Sequence, residues 1–181
     1  LTVTDTTGNA ALILDVTVGK DVEFLTVSTA IDSTLTVNDS GVVGSTKTVT
    51  TVDASGSTGD VDYVTGGSVA TVTTGTGDDD VTLQTFTSET VGAMVNASLD
   101  TGAGNDTVVV VTGGDGNTTV NLGDGENELT VGGKYGDAGL LTITGGSGVD
   151  TIDTGGATKL TINSGAGDDV ITALALNNDL N

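Results

Sequence analysis

The sequence predicts an all-β fold: a right-handed parallel β-solenoid (β-helix or β-roll-like) of about eight coils. Two observations carry that expectation. The chain is written in short Val-, Ile- and Thr-rich phrases that alternate apolar and polar residues, the period of a half-buried strand rather than of a helix. Between Val72 and Ile171 an apolar residue is followed five times by two residues and then by Gly-x-Gly-x-Asp-x-apolar, with Asn replacing Asp in one copy. The copies begin at Val72, Leu99, Val120, Ile143 and Ile162, about 22 residues apart on average, a usual length for one coil of a solenoid.

In chain order, the strand phrases include Leu1-Thr-Val3, Leu12 to Val18, Leu25-Thr-Val27, Thr34 to Val37, Thr48 to Val52, Val69 to Thr73 and Leu140 to Thr144. Gly, Asn, Asp and Ser separate them, the residues that turns use. Residues 1–50 are expected to be coils with irregular turns, and 51–172 coils with Gly-Asp turns. A weaker coil is expected from Val52 to Val64, and 173–181 form a tail or the start of a next coil. The stretch from Val81 to Leu99 lengthens one coil, so a loop is expected there, with Phe86 and Met94 as ordinary hydrophobic filling. No amphipathic helix is evident, although Ser88 to Met94 leaves room for a short turn. Because Leu1 already opens a repeat-like phrase, the 181 residues are expected to be one solenoid segment of a longer protein.

Composition narrows the function. Aromatics are 2 % of the chain, so Val, Leu and Ile must fill a thin, repetitive interior. The net charge is −21, and the basic residues are Lys20, Lys47, Lys134 and Lys159 alone. A surface of that sign repels nucleic acid and anionic lipid, so neither is an expected partner. It also repels itself, and divalent cations are the natural counterweight. Cys and His are absent, which removes disulfides, thiolate metal sites and the usual general base. No apolar run approaches the roughly 18 residues that span a bilayer, so no direct membrane insertion is expected.

The turn motif has its own chemistry. Gly-x-Gly permits a tight turn with close backbone approach. Calcium takes 6–8 oxygens, carbonyl and carboxylate alike. One turn offers too few, so stacked turns would share an ion, with the carboxylate at the edge and the next apolar residue returning the chain to the interior. Gly-x-Gly followed by Asp, without Lys or a helix, does not suit phosphate. Asp53, Asp60 and Asp62 form a poorer cluster for which solvation is at least as good a reading.

These segments resemble the Gly-Gly-x-Gly-x-Asp-x-apolar-x repeats of RTX proteins, the calcium-binding β-roll family exported by Gram-negative bacteria. Related repeats occur in S-layer proteins and surface adhesins. The resemblance covers roughly residues 70–172. It implies Ca2+ between adjacent turns, type I secretion and an extracellular or cell-surface location. It also implies Asp79, Asp106, Asp150 and Asp169 as carboxylate ligands, with Asn127 a weaker one. Gly75, Gly77, Gly102, Gly104, Gly123, Gly125, Gly146, Gly148, Gly165 and Gly167 would shape the turns and lend carbonyls.

The chain departs from the family pattern. The motif comes once per coil rather than every nine residues, so one calcium column on one edge is expected. Thr74, Thr101, Leu122 and Ser164 replace the first glycine, and a half-copy, Gly114 to Thr118, ends in Thr. The column is expected to thin at Asn127 and Thr118.

The leading expectation is a calcium-stabilised structural segment of a secreted S-layer protein that self-associates as a homo-oligomer or lattice. The alternative is the calcium-rigidified rod of a large adhesin or exoprotein. A carbohydrate-processing β-helix enzyme would need basic and aromatic residues lining a groove, and this chain has no Arg or Trp. No acid–base pair stands out from the acidic background, so a non-enzyme is expected.

Overall fold

The computed structural model describes residues 1–4, 12–17, 23–29, 32–38, 50–64, 70–85, 96–112, 116–133, 139–155 and 159–173. In chain order the strands are β1 (Thr2–Thr4), β2 (Leu12–Thr17), β3 (Phe24–Ser28), β4 (Ser33–Asn38), β5 (Thr51–Asp53), β6 (Val61–Val64), β7 (Thr71–Thr73) and β8 (Asp80–Thr85). They continue as β9 (Ala97–Asp100), β10 (Thr107–Thr112), β11 (Thr118–Asn121), β12 (Glu128–Gly133), β13 (Leu141–Thr144), β14 (Thr151–Asp153), β15 (Leu160–Asn163) and β16 (Val170–Thr172).

Odd strands form one eight-stranded sheet and even strands another, each in sequential order. Every pairing is parallel. One strand of each sheet per coil, always pairing with the next coil, is a parallel β-solenoid, with eight coils among the described residues. β1 to β4 belong to the same two sheets as the motif coils.

Alternation decides which side chains meet. In the odd sheet, Leu25, Val52, Val72, Leu99, Val120, Ile143 and Ile162 stand in one column. In the even sheet the facing column runs Leu35, Tyr63, Val81, Val108, Leu129 and Ile152. These residues belong to one continuous apolar core, with Ile162 packed at its margin. Residues one position away point outward, where polar ladders form: Asn121 Nδ2 donates to Asp100 Oδ1 at 3.0 Å. β-Branched and Leu side chains stacked at about 4.8 Å suit this core, because each fills the gap left by its neighbour above. Among the described residues no helix is long and apolar enough to cross a membrane.

The expected loop at Phe86 and Met94 lies outside the described residues, as do Lys20, Lys47 and Lys134. Thr118 lies at the start of β11, the end of the strand away from the Gly-Asp turns. The half-copy ending there therefore belongs to the opposite edge, and Gly114 lies outside the described residues.

Candidate metal centre

The five Gly-x-Gly-x-Asp turns carry the chain from an odd strand to the following even strand, so they stack on one edge. First glycines superpose as Gly75, Gly102, Gly123, Gly146 and Gly165, and second glycines as Gly77, Gly104, Gly125, Gly148 and Gly167. The Gly75 carbonyl accepts Ala103 N–H at 3.0 Å, and the Gly102 carbonyl accepts Asp124 N–H at 3.1 Å. The stack leaves no room for side chains at the glycines: a Cβ on Gly123 would fall on the Gly102 carbonyl oxygen, and Gly123 has φ +70°. Below Gly75 and Gly77 stand Ser57 and Gly59, so the turn of the coil before the first motif follows the same path.

The motif carboxylates point inward. Asp79 and Asp106 are 1 % exposed and Asp150 is fully buried. They sit on the core side because Asp79 and Val81 share the inward parity of the strand, with exposed Asp80 between them. Each uses Oδ1 to accept the backbone N–H of its equivalent one coil earlier. Asp79 accepts from Val61 at 2.8 Å, Asp106 from Asp79 at 2.9 Å, and Asp150 from Asn127 at 3.1 Å. Asn127 Oδ1 takes the Asp106 N–H at 2.9 Å, and Asp169 Oδ1 takes the Asp150 N–H at 3.0 Å. All five predicted side chains thus form one column, and Asn127 continues it without a gap.

The second oxygen of each buried carboxylate is different. Among the described residues, Asp79 Oδ2, Asp106 Oδ2 and Asp150 Oδ2 are buried with no hydrogen-bond partner. The Thr74 hydroxyl lies beside Asp79, but its hydrogen goes to the Thr101 carbonyl at 3.0 Å. The Thr101 hydroxyl beside Asp106 likewise donates to the Leu122 carbonyl at 2.8 Å. The threonines that replace the first motif glycine therefore stitch coil to coil.

Burial raises both carboxyl groups against ionisation. Loss of water pushes Asp106 up to about 6, with the nearby Asp79 and Asp78 charges adding to the rise. The Asp79 N–H offsets part of it. Asp79 is raised by the same loss of water, offset in part by the Val61 and Gly75 amides.

A second ladder runs one residue earlier and in the opposite sense. Asp60 Oδ1 accepts Asp78 N–H at 2.7 Å, Asp78 Oδ1 accepts Asn105 N–H at 2.7 Å, and Asn105 Oδ1 accepts Glu126 N–H at 2.9 Å. Here each side chain serves the coil after it. The repeated motif does not mark Asp78 or Asn105, and it leaves Asp60 grouped only with Asp53 and Asp62. The signal was an acid or amide at the position before the motif Asp in most copies. Asp53, Asp60 and Asp62 do not form a cluster: Asp53 Oδ1 caps its own turn through Ser55, while Asp62 Oδ2 meets the Thr34 hydroxyl at 3.4 Å on the outer face.

Among the described residues no group of three or more carboxylates converges as a ready-made metal cage. What the column offers instead is one unpartnered carboxylate oxygen at each of three coils. Unpaired buried oxygens of this kind are costly, and an all-oxygen donor set suits a hard cation such as calcium.

Fold and site together define a parallel β-solenoid scaffold with a buried column of carboxylates along one edge. No protein-family model matches the chain, and no curated protein or solved structure does either.

Proposed function

We propose that this chain is a calcium-stabilised structural segment of a secreted bacterial cell-surface protein of the S-layer type, which self-assembles outside the cell. The observation that carries the calcium reading is the set of unpartnered oxygens on Asp79, Asp106 and Asp150. A cation there would be held by these carboxylates, with carbonyls of the stacked glycines within the same turns. It would neutralise charge that burial makes unfavourable. Because those oxygens line one edge only when the coils stack, the binding free energy would add to folding free energy.

The extracellular lattice role rests on the RTX resemblance, on the −21 charge that needs counterions, and on the Cys-free composition. The linear stacking of coils also favours a second reading, the rigid rod of an adhesin. Ordered sheets or filaments on adding calcium support the lattice, and persistent monomers support the rod.

Circular dichroism and thermal melting, with calcium and after complete chelation, test the calcium reading. Chelation is expected to weaken the sheet signal and lower the melting temperature. An unchanged signal and unchanged melting would sink the idea.

A further inference from the structure

Asn127 is the one amide in a column of carboxylates, and every polar atom of its side chain has a partner. Its Oδ1 accepts the Asp106 N–H at 2.9 Å, as a carboxylate oxygen does elsewhere in the column. Its Nδ2 occupies the place of the second carboxylate oxygen and donates to Asp150 Oδ1 at 3.0 Å. The backbone N–H of Asn127 reaches the same Asp150 oxygen at 3.1 Å. Asp150 Oδ1 therefore receives two hydrogens from one residue, whereas Asp79 Oδ1 receives one from Val61.

A second substitution accompanies this one. At the start of the turn, Thr74 and Thr101 each place a hydroxyl beside the motif carboxylate. The residue stacked next in that series is Leu122, fully buried and without a side-chain oxygen. Relative to the Asp79 and Asp106 turns, the turn holding Asn127 has thus lost two oxygens and gained a donor, while the Asp150 turn, with Gly145 in that place, also has no hydroxyl but keeps its carboxylate.

Resting on the calcium reading above, we infer that Asn127 makes a cation-free junction that divides the column. Its side-chain amide supplies to Asp150 the hydrogen-bonding positive end that calcium supplies at the carboxylate coils. The chain therefore takes ions beside Asp79 and Asp106 on one side and Asp150 on the other, with none at the Asn127 turn. An amide is suited to this because it presents an acceptor and a donor on one short side chain, matching the amide below and the carboxylate above.

The test is calcium stoichiometry, by isothermal titration and equilibrium dialysis, on the 181-residue chain and two variants. Asn127→Asp is expected to bind one more calcium per chain than wild type. It should also melt lower than wild type after chelation and recover with calcium, since two facing carboxylates then need an ion. Asp106→Asn, which installs an amide in a coil that has a carboxylate, is expected to bind one fewer and to keep the inference testable should Asn127→Asp not fold. Folded variants that bind the wild-type number overturn the junction while leaving the calcium reading intact. A wild-type chain that binds no calcium overturns that reading, and the junction with it.

Discussion

The Asp106 carboxylate accepts the backbone N–H of Asp79 at 2.9 Å across 27 residues of sequence. The same contact recurs at separations of 18, 21, 23 and 19 residues elsewhere in the column. Coil length varies while the turn register does not. The variable residues are taken up away from the Gly-Asp edge, and the side-chain ladder holds that edge in step.

Glycine at the stacked turns is required by space as well as by φ. Gly123→Ala puts a Cβ on the Gly102 carbonyl in a left-handed conformation. The conformation alone costs about 1–2 kcal/mol, and coil separation adds to it, so a loss of at least ~2 kcal/mol is expected. Gly132→Ala is the control, because nothing lies within 4 Å of a Cβ there, and a change within about 0.5 kcal/mol is expected. Urea midpoints measure both. Equal effects would contradict the packing explanation.

The two ladders differ in burial, and this sets their energetic weight. Asn127→Leu strands the buried Asp106 N–H, with an expected cost of about 1–3 kcal/mol. Asn105→Ala frees the Glu126 N–H on an exposed turn where water can replace the lost acceptor, so less than about 1 kcal/mol is expected. Chemical denaturation of both variants is the measurement, and a larger loss for Asn105→Ala would reverse the ranking.

Stability of the metal-free chain should fall as pH rises. Asp106 holds its proton up to about 6 when folded, against an ordinary value of 3.8. Folding therefore takes up a proton between those values. The contribution is fully present below 3.8 and lost as pH passes through the folded value, roughly 3 kcal/mol by pH 7 for this one group. Asp79 shifts in the same direction. Denaturation midpoints at pH 4, 5 and 7 without calcium are expected to decline, and Asp106→Asn to flatten the decline. Midpoints that climb steadily toward pH 7 would contradict it.

Much of this protein is determined by its sequence alone. Period-two phrases such as Thr71-Val72-Thr73 and Leu141-Thr142-Ile143 specify strands and their inward faces, because alternation is a local property of extended backbone. The recurring Gly-x-Gly-x-Asp specifies that turns superpose, because only glycine tolerates carbonyl contact from the coil below. Hence the parallel solenoid, its eight coils and the column from Asp79 to Asp169 are all readable without coordinates. Other features were decided only by tertiary structure. The motif carboxylates face the core instead of an open edge, Asp60, Asp78 and Asn105 form a ladder of opposite sense, and Thr118 belongs to the other edge. The Asn127 side chain both accepts from Asp106 and donates to Asp150. Each of these depends on which backbone amide lies one coil above or below a given oxygen. That neighbour is 18 to 27 residues away and is set by stacking register, not by local residue preference.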